Sequence, residues 1–214
     1  MHSELNQTRI VTVVSRILTD RGVPHCLVGG VGVNTYVSFA NARLTKDVDF
    51  AVAKCSRNKC DQIAKDIRKE FGPVRFGMMR DHKTLGHFVP SSEEVPYNEA
   101  VMFAGRGQNI AVDLILPKHI WVEKAVKFAR QERNSEQNIF IAQKEELIAA
   151  KIISFADTGN RMKDLEDLKN LIDPSIDINR VLSSLAGTTL QWRSHFQGLL
   201  PSELLTRIWN KSKK

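Results

Sequence analysis

The sequence contains no apolar run that approaches the ~20 residues needed for a membrane-spanning helix. Its first residues also lack the uninterrupted apolar stretch of a secretory signal. Only three cysteines are present, and no second Cys or His pair stands at zinc-ligand spacing from Cys55 and Cys60. These absences predict a cytoplasmic chain with reduced thiols, no membrane contact and no structural zinc site.

Three common enzyme signatures are also missing. There is no Gly-x-x-x-x-Gly-Lys-Ser/Thr loop, no Gly-x-Ser-x-Gly elbow and no Gly-x-Gly-x-x-Gly fingerprint. Their absence argues against a P-loop enzyme, a serine hydrolase and a nicotinamide-dependent dehydrogenase. Twelve glycines and seven prolines are too few for a low-complexity chain, and 42% hydrophobic residues are enough for a sizeable core. The composition therefore predicts a globular protein.

The charge balance is basic. The chain has 31 Lys and Arg against 24 Asp and Glu, a formal net charge of +7. This excess favours a polyanionic partner such as RNA or a nucleotide. The alternative is a solvated basic surface without a nucleic-acid partner.

The apolar periodicity changes at Pro117. Before it, helical and strand patterns alternate. The helical patterns cover 4–20, a short segment from after Gly30 to about Phe39, and 57–71. The strand patterns cover 25–28, 47–52, 74–78, 86–89, 99–104 and 109–116. After it, helices are predicted at 118–132, 144–157, 161–172, 177–186 and 201–211, with a short strand at 138–141. We therefore predict an α+β fold, in which helices flank a mixed sheet and the C-terminal half is mostly helical. The expected division is an α/β core over 1–117 and a helical region over 118–214 packed on it.

Two aspartates stand two residues apart on a predicted strand. Side chains at the spacing of Asp47 and Asp49 leave the same face of a strand, where like charges repel. A divalent cation such as Mg²⁺ removes this conflict because it binds carboxylate oxygens together with substrate phosphate oxygens. The alternative is a frayed strand end at which both carboxylates lie in water.

A third aspartate lies within the most apolar strand pattern of the chain. Asp113 stands in the segment 110–116, where burying an unpaired carboxylate would cost several kcal/mol. A metal site shared with Asp47 and Asp49 would supply a partner for Asp113. Three carboxylates can hold two Mg²⁺ ions about 4 Å apart. The alternative is an edge strand on which Asp113 faces solvent.

A glycine pair and a later helical motif complete the pattern. Gly29 and Gly30 allow a sharp turn and a close approach of phosphate to the backbone. Lys151 falls on the apolar stripe of a predicted helix, so it must meet an anion or extend its ammonium to solvent. Asp164 either positions Arg161 and accepts a proton, or stabilises a helix N-terminus.

The order Gly-Gly, Arg-x-Thr-x-Asp-x-Asp and a lone strand Asp resembles the DNA polymerase β-like nucleotidyltransferase superfamily. Gly30 stands where many members have Ser. The later Lys-Glu-Glu-Leu, helical Lys and Arg-x-Lys-Asp-x-x-Asp-Leu sequence resembles the AbiEii/AbiGii branch, which includes toxins of bacterial toxin–antitoxin pairs. The resemblance covers roughly residues 25–172.

The resemblance implies a Mg²⁺-dependent transfer of a nucleoside monophosphate from an NTP to an acceptor hydroxyl. The expected catalytic residues are Asp47, Asp49, Asp113, Lys151 and Asp164. The expected nucleotide-binding residues are Gly29, Gly30, Arg43, Thr45, Lys151 and Arg161. The expected metal ligands are Asp47, Asp49 and Asp113, which would hold two Mg²⁺ ions.

The acceptor stays open at this point. The basic charge favours RNA, with a tRNA 3′ end first, and the resemblance implies a cognate antitoxin as a protein partner. A small-molecule antibiotic or a protein are alternative acceptors. A catalytically inactive module that binds nucleic acid or a partner is the non-enzymatic alternative, which an intact set of aspartates disfavours.

Overall fold

The computed structural model describes residues 2–45, 47–72, 74–79, 100–105, 111–133, 138–158 and 161–188, with Ser202 and Thr206. The helices are α1 (His2–Asp20), α2 (Gly29–Asn34), α3 (Arg57–Phe71), α4 (Ile120–Lys127), α5 (Lys144–Thr158), α6 (Met162–Leu171) and α7 (Ile178–Ser184). The strands are β1 (His25–Val28), β2 (Val48–Val52), β3 (Val74–Met79), β4 (Ala100–Gly105), β5 (Ala111–Ile115), β6 (Arg130–Arg133) and β7 (Asn138–Ile141). None of the described helices is long and apolar enough to cross a membrane.

The sequence marks the ends of the first long helices. Gly22 follows α1 with a φ of +61°, a left-handed conformation that glycine adopts without strain. The Ser56 hydroxyl caps α3 by accepting a hydrogen bond from the Lys59 backbone N–H. At the other end of α3, Gly72 has a φ of +77°. These signals explain why the predicted limits of both helices agree closely with the structure.

The strands form one mixed sheet in the order β3-β4-β5-β2-β1-β7-β6. β2 pairs parallel to β5 and antiparallel to β1, while β1 pairs parallel to β7. β3 with β4, β4 with β5, and β6 with β7 are antiparallel pairs. The central strands are therefore β5, β2 and β1, and their side chains alternate between two covered faces.

Each face of the sheet has its own hydrophobic core. Phe50 and Leu114 pack with α1 and α3 on one face. Cys26 and Ala51 pack with α4 to α7 on the other. Because side chains alternate along a strand, Asp49 and Asp113 belong to the face that carries α4 to α7. The fold thereby directs two carboxylates toward the C-terminal helices.

The predicted fold class is confirmed, and one predicted element is wrong. The helix expected over 118–132 ends at Lys127, and Arg130–Arg133 forms β6 along the edge of β7. These residues carry no apolar periodicity of their own, so pairing with β7 decides their conformation. The predicted strand at 86–89 lies outside the described residues, as does most of the predicted helix at 201–211. The division of the chain at residue 117 stays a prediction.

His25 is buried in the core beneath the sheet with both ring nitrogens hydrogen-bonded. Its Nδ1 donates to the Val23 carbonyl at 2.8 Å, and its Nε2 accepts from the Ser15 hydroxyl at 2.8 Å. Phe50 and Phe140 meet the imidazole edge to face. Burial lowers the pKa of His25, and only the backbone hydrogen bond opposes this shift. The folded protein therefore favours the neutral ring.

This environment predicts a loss of stability in mild acid. Below about pH 6.5 the unfolded chain protonates His25 more readily than the folded protein does, so the free energy of unfolding falls by at most about 1.4 kcal/mol per pH unit. His25→Asn should flatten this part of the pH profile, measured by chemical denaturation between pH 7.5 and 5. The control is His119→Asn, at the start of α4, which should keep the slope. Equal slopes in wild type and His25→Asn would contradict the assignment.

Candidate active site

The turn from β1 into α2 is shaped around a carboxylate. Gly29 has a φ of +61°, and a Cβ at this position would overlap the carboxylate of Asp49. Any side chain here would therefore displace Asp49 and also strain the backbone. The close packing of Asp49 on Gly29 explains the need for glycine at this position.

Asp49 and Asp113 lie side by side on neighbouring parallel strands. The pairing of β2 with β5 places the two residues directly opposite each other. Burial raises the pKa of Asp49, and Asp47 raises it further, while the Lys151 ammonium opposes both effects. Burial also raises the pKa of Asp113 to about 8, with additional contributions from Asp49 and Asp47. The three carboxylates therefore interact unfavourably when all are charged.

Asp113 Oδ1 is buried and has no hydrogen-bond partner in the described part of the chain. A buried carboxylate oxygen without a donor is costly, so this atom is a position at which a cation could bind. No group of three or more His, Cys, Asp or Glu among the described residues is arranged so that it could hold a metal ion. The pair Asp49 and Asp113, with Asp47 nearby, nevertheless suits Mg²⁺, which takes few protein carboxylates and completes its shell with water and phosphate oxygens.

Opposite these acids lies a buried network of ion pairs, formed by Arg43, Lys151, Asp164 and Asp167. Lys151 Nζ lies 2.9 Å from Asp164 Oδ1 and 2.7 Å from Asp167 Oδ2. Arg43 binds Asp167 with two hydrogen bonds, Nε to Oδ1 at 2.7 Å and Nη2 to Oδ2 at 2.8 Å. Burial alone would raise the pKa of Asp167, but hydrogen bonds from Arg43 and Lys151 hold it below its ordinary value. Asp167 is therefore held in its charged form.

Further cations stand at the start of α6. Arg161 Nε lies 3.9 Å from Asp164 Oδ2, which also accepts a hydrogen bond from the Ser154 hydroxyl at 2.9 Å. The pKa of Lys163 is lowered by partial burial and then by the neighbouring Arg161 and Arg43. These cations thus lie close enough to repel one another, which indicates a local excess of positive charge.

Gly30 makes room for the side chains of the following loop. A Cβ at Gly30 would lie 2.8 Å from Arg43 Nη2 and 3.0 Å from Thr45 Oγ1. Asn34 fixes the same loop, because its side chain donates to the Arg43 carbonyl at 2.8 Å and accepts from the Arg43 backbone N–H at 3.2 Å. The space beside Gly30 is therefore occupied by a guanidinium and a hydroxyl.

The structure brings the predicted residues into one region with two ends. At the acidic end Asp49 and Asp113 are neighbours, Gly29 supports Asp49, and Asp47 precedes β2. The basic end contains the predicted residues Gly30, Arg43, Thr45, Lys151, Asp164 and Arg161. Lys151 was expected to meet an anion, and it meets two carboxylates. Asp164 lies in the first turn of α6 and also binds Lys151, so it combines features of both expected roles.

One residue of this network was not predicted as part of the site. Asp167 contacts both Arg43 and Lys151, yet in the sequence it stands out only as the last Asp of the Arg-x-Lys-Asp-x-x-Asp-Leu motif, on the same helix face as Asp164. Its ion pair with Arg43 spans 124 positions of sequence, a distance over which local spacing carries no information.

A sequence profile described as "Nucleotidyl transferase AbiEii toxin, Type IV TA system" matches residues 25–213. The chain belongs to the AbiEii nucleotidyltransferase toxin family. It is therefore an enzyme of nucleotidyl transfer, from a family of toxins in type IV toxin–antitoxin systems. No match was found among curated proteins.

Solved structures resemble this AbiEii-family chain in fold. An antigenic nucleotidyltransferase-like protein from Paracoccidioides brasiliensis aligns with a TM-score of 0.51 at 16% identity, over 92% of this chain and 93% of its own. The antibiotic-resistance factor ANT(2'')-Ia aligns with a TM-score of 0.48 at 15% identity, over 90% and 95%. JHP933 from Helicobacter pylori gives 0.42 at 16% identity, over 99% and 75%. The first of these supports the nucleotidyltransferase fold.

We expect Gly29→Ala to lower nucleotidyl transfer by at least about 100-fold, because the new methyl group displaces the Asp49 carboxylate by an ångström or more. The measurement is the rate of NMP incorporation, with Mn²⁺ affinity as a second readout. Gly22→Ala is the matched control, since Gly22 has the same φ of +61° and no heavy atom within 4 Å of the added Cβ. Equal activity in the two folded variants would contradict the proposed contact.

Asp113→Asn should stabilise the metal-free protein at pH 8. The folded-state pKa of Asp113 is about 8, above its unfolded value, so the carboxyl reduces stability progressively as pH rises toward 8. The amide lacks this cost, and ~1 kcal/mol shifts the Tm of a chain this size by about 2–4 °C.

The test is a thermal melt in a chelator at pH 5 and pH 8. The advantage of Asp113→Asn should shrink at pH 5, and added Mg²⁺ should stabilise wild type more than the variant. The control is Asp157→Asn, an exposed carboxylate on α5. A variant that is no more stable than wild type at pH 8 would contradict the repulsion.

Proposed function

We propose that this AbiEii-family enzyme transfers a nucleoside monophosphate from a Mg²⁺-bound NTP to a hydroxyl group of RNA, first a tRNA 3′ end. The observation that carries the proposal is the separation of charge across the site. The paired carboxylates on β2 and β5 lie near a group of four cations, which outnumber the two carboxylates on α6 that they contact. These cations are Arg43, Lys151, Arg161 and Lys163. A metal–triphosphate complex has the complementary arrangement, with positive ions beside a chain of phosphates.

The acidic end would hold the metal. Asp49, Asp113 and Asp47 are the residues that would bind Mg²⁺, with the unpartnered Oδ1 of Asp113 as one ligand atom. When bound, the metal neutralises charge on the phosphates and lowers the pKa of an attacking hydroxyl. Two ions are proposed because three carboxylates exceed what one Mg²⁺ usually takes from a protein.

The basic end would hold the phosphates. Gly29 and Gly30 would serve nucleotide binding by admitting side chains of the site to the turn after β1: Asp49 beside Gly29, and Arg43 and Thr45 beside Gly30. Arg43, Lys151 and Arg161 would neutralise the charge that grows on the phosphoryl oxygens and on the leaving pyrophosphate. Asp164 would position Lys151, since its two oxygens already accept from Lys151 and Ser154.

The proposed reaction is a single displacement. The acceptor oxygen forms a bond to the α-phosphorus, and the bond from that phosphorus to the β-bridging oxygen breaks, so pyrophosphate leaves. The hydroxyl proton passes to a carboxylate of the acidic end, with Asp113 as the proposed base. Asp113 is favoured because burial raises its pKa to about 8, which suits a group that accepts a proton near neutral pH.

RNA is the favoured acceptor because of the net charge of +7 and the cations at the start of α6. A basic antibiotic such as an aminoglycoside would instead be repelled by Arg161 and Lys163. A protein acceptor remains the second candidate, with a cognate antitoxin as the proposed partner on the basis of the family.

The test incubates the purified protein with each α-³²P-labelled NTP, Mg²⁺ and total tRNA. We expect label on RNA with wild type and none with Asp49→Asn, which keeps the size of the side chain but loses its charge. A melting curve confirms that the variant is folded. Label on protein alone would replace RNA by a protein acceptor. Full activity in a folded Asp49→Asn protein would contradict the metal site.

A further inference from the structure

Asp167 is a buried carboxylate that binds two cations of the site, Arg43 and Lys151. It is not one of the paired acids on β2 and β5. Its residue is 1% exposed. Both oxygens bind Arg43, and Oδ2 also binds Lys151 at 2.7 Å. Asp167 therefore joins two cations that come from separate parts of the chain, the loop before β2 and the middle of α5.

The geometry leaves donors on both cations available for a ligand. The Arg43 guanidinium has five N–H groups, and two of them donate to Asp167, which fixes the plane of the group. The other three N–H groups remain for a ligand. Lys151 directs N–H groups at Asp164 and Asp167, which leaves one of three. Arg43 Nη2 also lies beside Gly30, where an added Cβ would come within 2.8 Å of it. The remaining donors thus belong to two groups held at a fixed separation.

We propose that Asp167 is a positioning residue that holds Arg43 and Lys151 as one binding unit for the phosphate groups of the nucleotide. The inference rests on the proposed function and adds the residue that sets triphosphate affinity. Asp167 itself touches no phosphate. Without it, the two cations repel each other and lose their common orientation, so the phosphates must order them at the moment of binding.

A second buried carboxylate provides a matched comparison. Glu146 on α5 is 0% exposed and accepts two hydrogen bonds from Arg180 on α7, at 2.8 and 2.7 Å. Its chemistry repeats that of Asp167 with Arg43, but it joins α5 to α7 and contacts none of the predicted site residues. Glu146→Gln therefore reports what the loss of a buried, doubly bonded carboxylate does to the fold alone.

The experiment compares Asp167→Asn with Glu146→Gln in the full chain. Three ligands are titrated by calorimetry: a non-hydrolysable α,β-methylene triphosphate with Mn²⁺, the corresponding nucleoside without phosphates, and Mn²⁺ alone. We expect Asp167→Asn to weaken triphosphate binding by about tenfold or more, and to leave nucleoside and Mn²⁺ binding within about twofold. Glu146→Gln should lower the melting temperature without changing any of the three affinities.

Arg43→Lys keeps the charge of the unit but cannot make the two parallel hydrogen bonds. We expect it to weaken triphosphate binding as Asp167→Asn does. The double variant should be little worse than either single variant, because both remove the same arrangement. Arg43→Lys also keeps the inference testable if Asp167→Asn does not fold.

The outcomes separate the inference from the function on which it rests. Triphosphate binding by folded Asp167→Asn at wild-type strength would overturn the inference and leave the proposed function standing. An equal loss for all three ligands, or the same loss in Glu146→Gln, would reduce Asp167 to a structural residue. Wild-type protein that binds no triphosphate would overturn both.

Discussion

The repulsion between two carboxylates on adjacent parallel strands governs the organisation of the site. Asp49 and Asp113 are opposed in register on one sheet face, and each is buried enough to raise its pKa. A fold that served stability alone would place apolar residues there, as it does on the opposite face with Phe50 and Leu114. Two surrounding features accommodate this unfavourable pair. Gly29 leaves room for the Asp49 carboxylate, and the Lys151 ammonium, while bound to Asp164 and Asp167, opposes the rise in the pKa of Asp49.

The C-terminal helices α5 and α6 take part in buried ion pairs close to these carboxylates. Lys151 and Arg43 would be costly to bury if they were unpaired, and Asp164 and Asp167 on one face of α6 compensate them. The result is a rigid layer whose acids are satisfied and whose cations keep spare donors. A phosphate ligand bound here would need to impose little further ordering on these cations, in contrast to one bound by a flexible basic surface.

The features that can be predicted from the sequence are those that depend on residues close together in the chain. The limits of α1 and α3 follow from capping residues and glycines, and the spacing of Asp49 to Asp47 predicts that Asp49 lies in a cluster of carboxylates. The position of Asp113 beside Asp49 was also foreseeable, since an Asp within an apolar strand needs a partner. By contrast, β6 depends on pairing with β7, and Asp167 depends on a contact 124 positions away. Neither interaction leaves a periodic trace in the sequence.

The ion pair between Arg43 and Asp167 can form only late in the synthesis of the chain. Synthesis proceeds from the N-terminus, so the acidic end is complete once Asp113 has been made. Arg43 acquires its partner only when α6 emerges, more than 50 positions later. A chain that is cut or stalled between these points carries the paired acids without the carboxylate that holds Arg43. The N-terminal part of the chain therefore depends on α6 for the final arrangement of the site.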